Sequence, residues 1–314
     1  MTKSMMRAIS QDELGGPEVL REVELERPEP GISQILVRVH AAGVNPTDWK
    51  HRAHPIFLGP PPFVLGWDVS GVVEATGFAV TLFKPGDEVF GMLPYPHGAG
   101  SHAEYVTGPT RSFALKPGNI DHAQAGALPL VALTAWQALT DTAHLAAGQR
   151  VLIHAAAGGV GHVAVQIAKA VGAHVTGTAS AGNHQLLRDL GADELVDYHA
   201  TDFTGAAGDF DVVLDSVGGD YPARSLGTLR TGGTLVSLLP LAAEVTAEAA
   251  RLGVRAQVML AEADRAGMLA IADLVTQGKL RPVIADTLPL ADAAKAHALG
   301  ETGHVAGKLV LTMH

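Results

Sequence analysis

The stretch from His154 to Ser180, HAAAGGVGHVAVQIAKAVGAHVTGTAS, runs three alanines into a glycine cluster, then a long apolar segment, and ends on a hydroxyl. Ala156, Gly158 and Gly161 have the spacing of G-x-G-x-x-G, with alanine in the first slot. That spacing permits a tight turn, contact between backbone and pyrophosphate, and close packing of a helix on the preceding strand. With Gly159 and Val160 between them, these residues would open a helix whose free N–H groups and partial positive charge face a dianion. Close helix packing alone is the plainer alternative. The strand-like RVLIHA before the cluster and the helical VGHVAVQIAKAV after it favour dinucleotide binding.

The hydroxyl at the end bears on which dinucleotide. An NAD site sets Asp or Glu at the tip of the second strand, about 20 residues on, to accept from the ribose hydroxyls. Thr178, Ala179 and Ser180 stand there, and no acid follows until Asp189. A carboxylate would repel a 2′-phosphate and a hydroxyl can donate to it, so NADP(H) is the expected cofactor. Ser180, Asn183 and His184 are candidate phosphate partners, whereas Arg188 reads first as a solvated helix residue. Tyr198, ending ELVDY, is either an adenosine contact or a half-buried rim residue.

The elements that must hold these residues follow from the rest of the chain. At 314 residues it is long enough for two domains, since single cores stop growing near ~250 to 300 residues. From about Arg7 to Phe113 the text is strand-like, with alternation in ILVRVHAAGV and a turn signal in PGDEVFGM. From Ala123 onward strands and helices alternate, the signature of a parallel sheet with helices on both faces. The chain has no cysteine, which excludes disulfides, thiolate nucleophiles and Cys-ligated zinc. Its net charge of −10 disfavours nucleic acid and anionic lipid as partners. It shows neither a signal-peptide core nor a long uncharged apolar run, so a cytoplasmic protein is expected.

In GGPEVL, ILVRVHAAGVNPTDWKHR, PFVLGWDVSGVVEATG, KPGDEVFGM, SHAEYV, LPLVALTAWQAL, VLIHAAAGGVGHVAVQIAKAVGA, LGADELVDY, DVVLDSVGG, GGTLVS and GKLVL, the chain resembles the zinc-independent quinone oxidoreductases, including zeta-crystallin-like proteins, of the medium-chain dehydrogenase/reductase superfamily. The resemblance implies an α/β protein with a GroES-like, mostly β catalytic domain in 1–122 and 264–314 and a Rossmann NADP-binding domain, a doubly wound parallel sheet, in 123–263. It places Asn45 near the nicotinamide ribose and substrate and Thr134 beside the nicotinamide. The SVGG turn, Ser216, Val217, Gly218 and Gly219, would line the dinucleotide groove, and Leu238 and His304 would border the nicotinamide. It also implies a homodimer through Rossmann edge strands, here near VRAQVML, a segment that reads equally as an interior strand. Two residues depart from the family pattern: Lys50 stands where many members carry tyrosine, and no basic residue is plain near Ser180.

Alcohol oxidation must stabilise an alkoxide, from a hydroxyl of pKa near ~16, whereas a quinone that accepts hydride gives a phenolic oxygen near ~10. The difference is roughly 8 kcal/mol, so an oxyanion of this kind needs only a few hydrogen bonds. The expected reaction is therefore metal-free, NADPH-dependent reduction of quinones or α,β-unsaturated carbonyls. Asp48 is a candidate acid whose plainer role is a turn or helix cap. Lys50 is a candidate oxyanion donor or a surface residue. His51 and His54 lack a third metal ligand and precede Pro55, which reads as solvent-facing loop; His154 reads as a core histidine. Competing functions are an enoyl-thioester reductase and a non-catalytic, crystallin-like NADPH binder.

Overall fold

The computed structural model describes residues 4–205 and 209–313. It divides into two compact units, Met1–Leu133 with Glu262–His314, and Thr134–Ala261. The chain opens with β1 (Met5–Gln11), β2 (Arg21–Glu26), β3 (Gln34–Val44), α1 (Pro46–Ala53), β4 (Phe63–Val64), β5 (Asp68–Thr76), β6 (Glu88–Met92), β7 (Tyr105–Pro109), β8 (Phe113–Leu115), α2 (His122–Gly126) and α3 (Pro129–Trp136). Alternation follows through β9 (Arg150–Ile153), α4 (Gly161–Val171), β10 (His174–Ala179), α5 (His184–Asp189), β11 (Glu194–Asp197), β12 (Phe210–Asp215), α6 (Tyr221–Ser225), β13 (Leu229–Ser237), α7 (Ala243–Leu252) and β14 (Arg255–Val258). The last elements are α8 (Arg265–Thr276), β15 (Ile284–Pro289), α9 (Ala293–Glu301) and β16 (Lys308–Thr312).

In the first unit the main sheet runs β15-β16-β3-β5-β6-β8, with β7 also on β3, and a smaller sheet runs β2-β1-β4. Strand β3 is the axis. Its Ile35, Leu36, Val37 and Val39 are buried, and it pairs antiparallel with β16 at Leu309↔Val44 and Val310↔Gly43. A Cβ on Gly43 would lie 2.8 Å from the Gly126 carbonyl oxygen, so only glycine lets α2 approach β3 here. Ala41, Ala127 and Val310 form a buried cluster with Ala123 packed on it. That packing moves residues 123–133 into the first unit, whereas the sequence had placed them with the second.

The second unit carries one sheet of order β11-β10-β9-β12-β13-β14, every pair parallel. Strand order reverses at β9, whose chain neighbour β10 lies on one side and β12 on the other. Such a switch point leaves a crevice beyond the strands' carboxyl ends, where ligands bind in folds of this topology. Leu152, Phe210, Val213 and Leu235 make the core with Val245 and Ala249 of α7. The VRAQVML segment forms the edge strand β14 and not an interior one, and Val258 and Leu260 are about half exposed.

Candidate active site and dinucleotide site

In the second unit most of the expected cofactor residues fall at the carboxyl ends of five adjacent strands, β11, β10, β9, β12 and β13. After β9 the chain turns at Ala155, which adopts φ 49°. Ala156 is buried, while Gly158, Gly159 and Val160 are partly exposed. A Cβ on Gly161 would lie 2.6 Å from Ala156 Cα, so α4 starts this close to the strand end only because residue 161 has no side chain. At the tip of β10, Asn183 Nδ2 donates to Ser180 Oγ (3.2 Å) and His184 Nε2 lies 3.2 Å from the Ala179 carbonyl oxygen. Tyr198, past the end of β11, is exposed and its ring lies 4.3 Å from that of His199.

The turn after β12 is organised by Asp215, which the sequence reading did not single out. Its buried carboxylate accepts the N–H groups of Val217 (3.0 Å) and Gly218 (3.1 Å) and the Ser237 hydroxyl (2.9 Å). Ser216 Oγ donates to the His154 carbonyl, and Leu238 N–H donates to that of Asp215, which ties the ends of β9, β12 and β13 together. Gly218 and Gly219 take φ 76° and 63°, a left-handed pair that glycine adopts without strain. His154 is a core histidine, 3.3 Å from Thr178 Oγ1 and 2.9 Å from Ser225 Oγ, with burial pushing its pKa down to about 4. Thr134 stands apart from these turns in the chain, on α3, and is almost wholly buried.

In the first unit Asn45 and Asp48 belong to a cluster whose other members, Asp68 and Lys308, were also missed from sequence. Asp48 accepts the N–H of Asn45 (2.7 Å) and of Gly66 (3.0 Å), so it is the helix cap that was its plainer reading. The Asn45 side-chain amide donates to Asp68 Oδ2 (2.8 Å), and its oxygen accepts from Lys308 Nζ. Lys308 also donates to the Val44 carbonyl (2.9 Å) and lies 3.6 Å from Asp68. Asp68 Oδ1 accepts the Leu130 N–H (2.6 Å). Asn45, Asp48 and Asp68 are 0% exposed, so both ends of the Asn45 amide are spent inside the protein. Burial, with Asp68 nearby, raises the Asp48 pKa to about 7, while Lys308 is lowered by burial against the pull of the two carboxylates. The cluster holds two acids and one base, and a proton on Asp48 makes it neutral.

The remaining expected residues lie elsewhere. Lys50 is exposed on α1, and His304 is exposed on the turn between α9 and β16. His51 is not in a solvent-facing loop: α1 continues through it and leaves it 2% exposed, while His54 ends the helix in solvent.

The strand-end row of the second unit fits a dinucleotide. Two bare turns flank the switch point, a helix N-terminus follows the first, and the one buried carboxylate there, Asp215, is consumed by its own turn. A GroES-like unit joined to such a sheet defines the medium-chain dehydrogenases/reductases. Residues 31–118 match the family described as alcohol dehydrogenase GroES-like domain, and residues 190–311 match the one described as zinc-binding dehydrogenase. The chain is 35% identical over 325 residues to the NAD(P)H oxidoreductase RTN4IP1, mitochondrial, of Danio rerio, covering 90% of this chain and 84% of that one. It is 35% identical over 318 residues to the NADPH-dependent alkenal/one oxidoreductase, chloroplastic, of Arabidopsis thaliana, covering 98% and 79%. The solved quinone oxidoreductase of Coxiella burnetii superposes with a TM-score of 0.93 at 38% identity, covering 99% and 100%. The chain therefore belongs to the quinone oxidoreductase family of that superfamily, and it is an oxidoreductase.

Proposed function

We propose that the protein reduces quinones or α,β-unsaturated carbonyl compounds with NADPH, without a metal ion. The observation that carries this reading is the row of bare turns at the β9–β12 switch point beside a second strand that ends in Ser180 and not in an acid. The turn residues Ala156–Gly161 would hold the pyrophosphate, and Ser180, Asn183, His184 and Tyr198 the adenosine end. Ser216–Gly218, Leu238, Thr134 and His304 complete the cofactor set that the family resemblance suggests. When bound, the reduced nicotinamide supplies a hydride, and a proton from solvent completes the two-electron reduction of the acceptor. Asn45 and Asp48 act as positioning residues, because neither has surface left to touch a ligand. They fix the start of α1, on which Lys50 stands exposed as the candidate oxyanion donor. A chain without cysteine suits an acceptor whose oxyanion needs only hydrogen bonds.

Purified protein mixed with NADPH and a panel of quinones and enones should oxidise the cofactor in proportion to acceptor consumed. Tight NADPH binding with silence across the panel would leave a binding protein in place of an enzyme. No affinity for either reduced cofactor would remove the reading altogether. Among the described residues no helix is long and apolar enough to cross a membrane. We place the protein in the cytoplasm, as a homodimer joined through β14.

A further inference from the structure

The first unit carries a group of aromatic side chains and hydroxyls that none of the roles above uses. Tyr95, half-buried in the loop after β6, meets buried Trp67 edge-on at 5.3 Å between ring centroids. Trp67 meets His51 at 5.1 Å, His51 meets Phe57 at 5.7 Å, and Phe57 meets His97 at 6.2 Å. The inner rings are closed to solvent, while Phe57 remains 43% exposed and His97 is exposed as well. Thr47, on the first turn of α1, joins this aromatic line to a chain of hydrogen bonds.

The direction of that chain follows from the atoms. His51 Nδ1 lies 2.8 Å from the Thr47 carbonyl oxygen, which can only accept, so Nδ1 carries the proton. Burial lowers the His51 pKa, and its buried Nε2 has no partner, as befits a neutral ring. Thr47 Oγ1, 3.1 Å from the same Nδ1, therefore finds no acceptor there and gives its proton to Tyr95 Oη at 3.2 Å. The Tyr95 oxygen is thus already an acceptor, and its own proton is directed to no described protein group. Burial also raises the Tyr95 pKa, which keeps that proton in place through the neutral range.

We propose that Tyr95 donates this hydrogen bond to the carbonyl oxygen of the acceptor, and that the exposed Phe57–His97 edge holds the acceptor's flat ring, so that the preferred substrates are aromatic or quinoid carbonyl compounds over open-chain ones. This rests on the reductase reading for its chemistry. A flat π-face packs on ring edges in offset or edge-on geometry, an attraction that an open-chain enone cannot match. One donor aimed at a developing oxyanion is worth on the order of 10²-fold in turnover.

The test uses the full chain and its variants Tyr95→Phe and Phe57→Leu. With NADPH and 1,4-naphthoquinone, Tyr95→Phe should lower kcat about 10- to 100-fold with NADPH affinity unchanged by calorimetry. Phe57→Leu should raise the naphthoquinone KM severalfold and leave that of an open-chain enone unmoved. A binding arm needs no turnover: wild-type protein should bind 1-acetonaphthone at least about tenfold more tightly than cyclohexyl methyl ketone, and Tyr95→Phe should remove most of that affinity, about 1.4 kcal/mol per tenfold. Unchanged kcat in Tyr95→Phe, or equal binding of the two ketones, overturns the proposal. If no acceptor is reduced yet 1-acetonaphthone binds in a Tyr95-dependent way, the reductase reading falls and the site stands.

Discussion

Ser180 ends β10 with a hydroxyl held near Asn183, and no carboxylate shares that tip. Replacing it by aspartate sets a negative charge where a 2′-phosphate would sit and offers an acceptor to a free ribose. Ser180→Asp should weaken NADPH about tenfold or more and improve NADH, read as the ratio of the two kcat/KM values. In the other unit, Lys308→Met leaves Asp68 buried without its cation and the Asn45 oxygen without its donor. Breaking such a pair costs about 3–5 kcal/mol, so the denaturant midpoint should fall sharply. Single residues were only partly legible in the sequence. Asn45 and Asp48 stand in a quotable motif, but Asp68 lies 23 residues from Asn45 and Lys308 lies 263 away, and no local pattern announces that three strands bring them together. His51 was misplaced because Pro55 suggested an early helix end, whereas α1 runs on to Ala53.

The β9–α4 turn was the most legible element, because its glycines do local steric work. Gly161→Ala brings a methyl against the backbone of Ala155 and Ala156 and must push α4 off the strand end. Its expected signature is loss of dinucleotide affinity, measured by calorimetry, out of proportion to any fall in melting temperature. The edge position of β14 was not legible. An apolar run of a few residues reads alike in the middle of a sheet and at its rim, and only the strand order separates the two. With its outer backbone groups unpaired in the sheet and Val258 half exposed, β14 can pair with its own copy across a twofold axis. Val258→Glu places like charges at that seam and should yield a monomer in light scattering, with the fold intact by circular dichroism. The α2 segment was misassigned because helical periodicity says that a helix forms and not which sheet it covers; its alanines reach β3 and β16.

Across the whole molecule, buried histidines set the response to acid. Burial holds His102 and His154 at about 4 and His297 well below its ordinary value, so all three fold neutral. The unfolded chain protonates them near 6.5, so the stability they lend is complete above that pH and falls as pH drops toward 4. Asp48 and Asp68 work in the opposite sense, since their raised pKa values keep protons in the folded state that the unfolded chain releases. With His51 and His122 lowered by burial as well, the histidines outnumber the two carboxyls, so stability should decline between pH 6.5 and 5 by about 1.4 kcal/mol per pH unit for each net proton taken up, read as a falling melting temperature. His154→Gln should flatten that decline.

The dinucleotide-type sheet is spliced into the chain between β3 and the strand that completes β3's own sheet, β16. During synthesis the spliced-in unit is finished while its host still lacks a neighbour along Val44–Ala41 and the ammonium that orients the Asn45 amide. A nascent chain halted before Lys308 would thus own the whole dinucleotide-type sheet while β3 stayed unzipped along one edge and the Asn45 oxygen lacked its donor.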